Sequence, residues 1–127
     1  MDLSYNNLKS LQDGSFNNHE NLIDLKLDHN QIEDIQNETF LGLKNLKVLN
    51  LDSNKIQSIA EDAFEVFSKT LRDLNLGNNV FNKLPTSGLK NLIELKVHGN
   101  RNLRNFPPVS EFPSIASLAL SYAYHCC

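Results

Sequence analysis

A six-residue phrase, leucine–any–leucine–any–any–asparagine, recurs along this chain of 127 residues. Its three complete copies are residues 25–30 (LKLDHN), 49–54 (LNLDSN) and 74–79 (LNLGNN). Three imperfect copies, each departing from the phrase at one position, are residues 1–6, 95–100 and 118–123. Successive copies begin 24, 24, 25, 21 and 23 residues apart. A period of this length is the signature of a solenoid, in which each repeat forms one coil.

Each copy of the phrase predicts one short β-strand, because apolar and polar residues alternate for only three or four positions. Strands that recur in the same phase stack into a parallel sheet, and the segments between them return the chain to the next coil. We therefore predict an α/β solenoid with a curved parallel sheet on its concave face and irregular or helical return segments. The repeats cover residues 1–123, about five coils of which the first is truncated.

The asparagine that closes each phrase is predicted to be structural. Where the chain leaves the strand and turns inward, backbone N–H and C=O groups are buried, and a side-chain amide has the donors and the acceptor to satisfy them. Stacked coils then place these side chains in a ladder that consists of Asn6, Asn30, Asn54, Asn79 and Asn100.

The outward-facing residues of the strands form the predicted ligand-binding surface on the concave face. The candidate residues are Asp24, Lys26, Asp28, Asn50, Asp52, Asp73, Asn75, Glu94, Lys96 and His98. Acidic side chains outnumber basic ones in these columns, so the face favours a partner with a basic patch. The alternative is a charged face that only keeps the sheet soluble.

Several functional classes are disfavoured by the sequence. The formal charge of −3 and the pI near 5.7 argue against a nucleic-acid partner, which requires a positive field. No apolar run approaches the roughly 18 residues of a membrane helix. The chain has no glycine-rich phosphate loop, and no diagnostic spacing links its histidines, which are His19, His29, His98 and His125. We predict neither an enzyme nor a cofactor.

No metal site is predicted either. Three aspartates, Asp2, Asp28 and Asp52, fall in adjacent coils, but their spacing does not form a recognisable cation-binding loop. The single glycosylation sequon, Asn37-Glu38-Thr39, lies on a return segment, where a glycan would be clear of the concave face.

Cys126 and Cys127 are neighbours in sequence, and such cysteines rarely pair with each other because the ring is strained. Partners beyond residue 127 are one possibility, and two free thiols in a cytosolic protein are the other. The first coil begins in mid-repeat, which would leave its apolar end uncovered and predicts a slice of a longer protein.

The phrases resemble the leucine-rich repeat family over residues 1–123, and the phenylalanines at 16, 40 and 64 are similar to those of its extracellular class. Two further segments, 99–103 (GNRNL) and 116–127 (ASLALSYAYHCC), resemble the last repeats and the hinge junction of leucine-rich-repeat G-protein-coupled receptors. The Tyr-Ala-Tyr sequence at 122–124 is more similar to the bursicon-receptor and R-spondin-receptor branch than to the gonadotropin-receptor and thyrotropin-receptor branch.

This resemblance implies an extracellular segment of a multi-pass receptor at the plasma membrane. It implies that the concave face binds a secreted protein, a cystine-knot hormone or an R-spondin-like ligand. A G protein would be reached only through a transmembrane part that is absent from this chain. Residues 124–127 would begin the hinge, and Cys126 and Cys127 would form disulfides with hinge cysteines. The rival interpretations are a structural or adhesive extracellular repeat protein (a matrix proteoglycan or a cell-surface adhesion molecule) and an intracellular repeat adaptor.

Overall fold

Five parallel strands from successive coils form the larger of two sheets in the computed structural model, which describes residues 1–104 and 106–119. In spatial order this sheet contains β1 (Asp24–Lys26), β3 (Val48–Asn50), β5 (Asp73–Asn75), β6 (Glu94–Lys96) and β7 (Ser117–Ala119). A bridge between Asp2 and Lys26 joins the first coil to it. A second sheet pairs β2 (Asp34–Ile35) with β4 (Ser58–Ile59) on the return side. The predicted parallel-stranded solenoid is confirmed.

The strand register repeats the sequence period. Leu25 is paired with Leu49, Leu49 with Leu74, and Leu74 with Leu95, so equivalent positions of the phrase lie side by side. Each inward leucine therefore contacts its counterparts in the coils above and below. Columns of outward side chains form in the same way on the opposite surface of the sheet.

Besides β2 and β4, the return segments consist of turns and two short 3₁₀ helices, Glu65–Phe67 and Val109–Glu111, with no α-helix in the described part of the chain. In the 25-residue coil, the N–H groups of Thr70 and Leu71 both donate to the carbonyl of Phe67, which absorbs the additional residue. The predicted end of the repeats at 120–123 and the segment 124–127, with Cys126 and Cys127, lie outside the described residues.

A phenylalanine stack fills the core beneath the return segments. The ring centroids of Phe16 and Phe40 are 6.2 Å apart, and those of Phe40 and Phe64 are 6.4 Å apart. In the fourth coil Phe81 occupies the position that Ile32 and Ile56 occupy in earlier coils, and all three are fully buried. Each such side chain contributes about 1.5–3 kcal/mol on burial, so stability accumulates coil by coil along the axis.

Asn30, Asn54, Asn79 and Asn100 are buried, with at most 7% of their surface exposed, and each joins two coils. The Asn54 Oδ1 accepts the N–H of Ile32 (3.1 Å), and its Nδ2 donates to the carbonyls of Leu27 and Leu51 (3.0 Å each). The other three repeat this arrangement. The asparagine amides therefore pair backbone groups that would otherwise be buried without partners.

Asn6 departs from the predicted ladder. Its side chain is exposed and donates to the carbonyl of Ser4 (3.2 Å), within its own turn. Its main-chain N–H still donates to Asn30 Oδ1 (2.8 Å), so the first coil is held by the ladder of the second.

A left-handed corner precedes each ladder asparagine. The φ angles are 59° at Tyr5, 56° at His29, 58° at Ser53, 54° at Asn78 and 74° at Gly99. A left-handed residue with a side chain costs about 1–2 kcal/mol. The asparagine hydrogen bonds offset that cost, because the corner aims the next side chain inward.

Candidate functional site

The candidate site is the outer surface of the larger sheet, which we call the sheet face. It consists of three columns of side chains that run across the strands. Column one is Asp24, Val48, Asp73 and Glu94; column two is Lys26, Asn50, Asn75 and Lys96; column three is Asp28, Asp52, Gly77 and His98. All ten residues predicted from the sequence lie on this one surface.

Column three is organised around Gly77. The His98 Nε2 lies 3.5 Å from the Asp52 Oδ2, although a whole coil separates them. A Cβ atom on Gly77 would lie 2.7 Å from the His98 ring and 2.9 Å from that carboxylate oxygen. The absence of a side chain at this position therefore lets the histidine reach the aspartate.

Asp52 is also bound by its own surroundings. Its Oδ1 accepts hydrogen bonds from the Ser53 hydroxyl (2.6 Å) and from the Asn78 Nδ2 (3.0 Å). Only 15% of its side chain is exposed. A ligand would therefore have to compete with three protein groups for the Asp52 carboxylate.

Asp28 belongs to a second cluster at the first coil's end of the sheet face. The His29 Nδ1 lies 2.8 Å from the Asp28 Oδ2. The ring of Tyr5 stacks on the imidazole with a centroid distance of 4.4 Å and an interplanar angle of 9°. Tyr5 is 70% exposed, which leaves its outer ring face free for a partner.

Tyr5 and His29 are functional candidates that the sequence prediction missed, together with Ser53, Gly77 and Asn78. Four of them occupy the left-handed corners next to column three. Their signal in the sequence is their constant place before the ladder asparagine. Which corner residue contacts which column residue depends on the stacking of coils, and the sequence does not state it.

Two side chains of column two form hydrogen bonds with the backbone. The Asn50 Oδ1 accepts the N–H of Asp52 (3.0 Å), and the Asn75 Oδ1 accepts the N–H of Gly77 (2.9 Å). These amides fix the chain as it leaves the strand. At the other end of the column, the Lys96 Nζ lies 3.4 Å from the Glu94 Oε1.

Column one contains two neighbouring carboxylates, since Asp73 is paired with Glu94 in the sheet. Burial raises the pKa of Asp73, and the Glu94 carboxylate raises it further, while Lys96 acts in the opposite direction. At the edge of the face, hydrogen bonds from the hydroxyl and the N–H of Ser4 lower the pKa of Asp2.

Asp73→Asn is expected to stabilise the fold at neutral pH by roughly 0.2–1 kcal/mol, because it removes a like charge opposite Glu94. A pKa that is raised in the folded state means that the carboxyl group favours folding when protonated, and this contribution is lost as the pH rises through that pKa. The gain should therefore vanish below about pH 3.9, where both states are protonated. Urea unfolding at neutral and acidic pH measures it.

Asp24→Asn is the matched control, since Asp24 is exposed in the same column and is paired with Val48. Its effect should be close to zero at both pH values. A loss of stability on Asp73→Asn at neutral pH, or a gain that is the same at both pH values, would contradict the electrostatic account.

Within residues 1–104 and 106–119, no group of three or more histidine, cysteine, aspartate or glutamate side chains is arranged to hold a metal ion. A search of the same residues finds no helix with the length and apolar character needed to cross a membrane. The absence of catalytic and cofactor sites stays a prediction.

The leucine rich repeat family matches this chain in three overlapping windows, residues 1–56, 20–81 and 44–101. These windows cover most of the chain, and the parallel strands and asparagine ladder supply the corresponding structure. The chain belongs to the leucine-rich repeat family.

Similar proteins narrow this class. Leucine-rich repeat-containing G-protein coupled receptor 4 of Homo sapiens is 42% identical over 127 residues, which is all of this chain and 13% of that receptor. Receptor 5 of the same name from Rattus norvegicus is 39% identical over 66 residues, 52% of this chain and 7% of the receptor. The resemblance to leucine-rich-repeat G-protein-coupled receptors is confirmed. The chain spans about an eighth or less of these relatives.

A solved structure also matches. The crystal structure of a TLR13–ssRNA13 complex superposes with a TM-score of 0.80 and 28% sequence identity, and the match covers 89% of this chain and 17% of that chain. This similarity supports the same solenoid fold.

Proposed function

We propose that this chain is an extracellular ligand-binding segment of a leucine-rich-repeat G-protein-coupled receptor, and that its sheet face binds a secreted protein through a basic patch. The observation that carries this proposal is the distribution of charge. Six carboxylates belong to the sheet face or its edge, against Lys26 and Lys96, and they are Asp2, Asp24, Asp28, Asp52, Asp73 and Glu94.

This distribution favours recognition over mere solubility. The sheet face and its edge together carry a formal charge of −4, from six carboxylates and two lysines, and the whole chain carries −3, so the remaining residues carry +1. A surface charged only for solubility would not need to place its negative charge on one face. Concentrated charge attracts an oppositely charged protein and raises its association rate.

The ligand class follows from the receptor similarity together with this face. A cystine-knot hormone or an R-spondin-like protein with exposed lysine and arginine side chains would fit it. Although the similar TLR13 structure contains an RNA, phosphates would be repelled by this surface. Signalling through a G protein would belong to other parts of the receptor, of which this chain is a small share.

A double charge reversal, Asp24→Lys with Asp73→Lys, tests the proposal. Both residues lie in column one, where no histidine holds them, and a lysine at the second position would be paired with Glu94. We expect the affinity for the secreted ligand to fall at least tenfold (about 1.4 kcal/mol), mainly through the association rate at low salt. Surface plasmon resonance of a panel of cystine-knot and R-spondin-like proteins measures it.

Glu33→Lys with Glu38→Lys is the matched control, since it changes the net charge equally on exposed residues away from the sheet face. Its affinity should stay near that of the unmodified chain. An equal loss of affinity in both double variants would mean that net charge, and not the position of the charges on the sheet face, causes the effect. Unchanged affinity in the column-one variant, or no binding by any member of the panel, would contradict the proposal.

A further inference from the structure

The fourth coil is shorter than its neighbours, and the missing residues leave a notch on the return side. From Ile35 to Gly42 the second coil advances seven positions, whereas the fourth advances four from Leu84 to Gly88. These glycines are equivalent because each opens the sequence GLKNL. The three missing residues correspond to the turn that carries Asn37, Glu38 and Thr39 in the second coil.

The notch has a volume of about 530 Å³ and draws its walls from three coils. Glu61 lies on one side, Glu111 and the prolines 107–108 on the other, and Asn82, Lys83 and Thr86 lie between them. Its lining therefore alternates hydrogen-bond donors and acceptors, while the proline rings offer a small apolar platform. A polyhydroxylated ligand matches this chemistry better than an apolar side chain does.

Asn37, in the glycosylation sequon, lies in the second coil, and its side chain contacts the third coil beside one wall of this notch. It is exposed, and its Oδ1 accepts the N–H of Asp62 at 3.3 Å, so the side chain leans toward the third coil. Asp62 directly follows Glu61, which is a wall of the notch. Neighbouring strands of a sheet are about 4.8 Å apart, so two coil steps separate Asn37 from the notch residues of the fourth coil by roughly 10 Å, a span that a core of several sugars can bridge.

The sequon threonine is already engaged in the folded chain. Thr39 is fully buried, and its Oγ1 accepts the N–H of Gln36 at 2.9 Å. Attachment of a glycan therefore has to precede the folding of this turn, as it does when sugars are transferred during secretion. Once the coil has folded, Asn37 remains exposed, so sugars attached to it are free to extend toward the third coil and the notch.

We propose that Asn37 carries an N-linked glycan whose core sugars bind in the notch of the fourth coil. Asn82, Thr86 and the flanking glutamates bind the sugar hydroxyls and acetamide groups, and the proline rings contact an apolar sugar face. The glycan thereby replaces the turn that this coil lacks and covers the exposed edges of three coils. The sheet face stays free for a protein ligand.

Hydrogen exchange of the secreted, glycosylated 127-residue chain tests this inference. The mass change on complete deglycosylation establishes that Asn37 is occupied. Trimming high-mannose glycans to a single sugar should then speed amide exchange severalfold in residues 80–86 and 106–111, and leave residues 20–30 unchanged. Adding free chitobiose to the Asn37→Gln protein should restore part of the protection, which identifies sugar chemistry as the cause and the chain's own glycan as its usual source.

Asn82→Ala with Lys83→Ala removes two exposed groups of the notch and should abolish the effect of trimming. Lys90→Ala, on an exposed residue of the same coil outside the notch, should preserve it. An unmodified Asn37, or identical exchange before and after trimming, would overturn the inference. Ligand binding by the sheet face is measured separately and does not depend on either result.

Discussion

Asn54→Ala is expected to lower the free energy of unfolding by about 3 kcal/mol, from one orphaned donor and the loss of the hydrogen bonds that the Asn54 amide donates. The N–H of Ile32 loses the acceptor with which it is paired, while the carbonyls of Leu27 and Leu51 each keep a bond from a neighbouring ladder asparagine. The melting temperature should fall by roughly 10 °C. Urea unfolding followed by circular dichroism measures the change.

Asn6→Ala is the matched control, because it removes the same side chain from the same position of the phrase. Asn6 is exposed and its amide bonds only within its own turn, to Ser4. Its loss should stay within about 0.5 kcal/mol. Equal losses at the two positions would mean that the asparagines act through local turn propensity, and that the bridges between coils contribute little.

The sequence predicted the sheet and its register because, in a solenoid, residues one sequence period apart become neighbours in space. Leu25 and Leu49 are one period apart, and their pairing follows from repetition without any knowledge of distant contacts. The same reasoning located the sheet face, since alternation alone separates Lys26 from the leucines on either side. In a fold of this kind, local pattern determines most long-range contacts.

The return segments were less predictable. Ile35 and Ile59 bring β2 and β4 together, but each strand is only two residues long and has no distinctive alternation. The notch of the fourth coil depends on where three residues are missing. The shared GLKNL sequence at Gly42 and Gly88 locates the missing residues, but only the structure shows that three coils line the space they leave.

Within the candidate site, the sequence predicted which residues lie on the sheet face, but not which groups each carboxylate contacts. Counting carboxylates treats Asp28, Asp52 and Asp73 alike. In the structure, Asp28 and Asp52 contact histidines, whereas Asp73 lies beside another carboxylate and its pKa is raised. The contact between Asp52 and His98 exists because Gly77 has no side chain, and a glycine in a polar column gives no warning of that role. Asp24 and Asp73 of column one, which contact neither a histidine nor a lysine within an ion-pair distance in the described residues, are therefore the acids most available to a ligand.

Gly42→Ala is expected to lower the free energy of unfolding by about 3 kcal/mol or more, through backbone strain and a steric clash. The φ angle of Gly42 is +103°, outside the left-handed region that other residues tolerate. A Cβ atom would lie 2.5 Å from the Phe16 carbonyl oxygen and 2.7 Å from the Asn17 Cα, which are backbone atoms of the preceding coil. The two coils would have to separate at the Phe16–Phe40 stack.

Gly14→Ala separates the two causes. Gly14 also has a positive φ, +85°, but the nearest atom to a Cβ is the Asn17 Nδ2 at 3.2 Å, at the end of a side chain that can move. Its loss should be confined to about 1–2 kcal/mol of backbone strain. The difference between the two variants, measured by urea unfolding, isolates the close approach of coils. If that difference is zero, the close approach of coils at Gly42 does not limit their spacing. The same conclusion would then apply to Gly88, where an added Cβ atom would lie 2.6 Å from the Phe64 carbonyl oxygen.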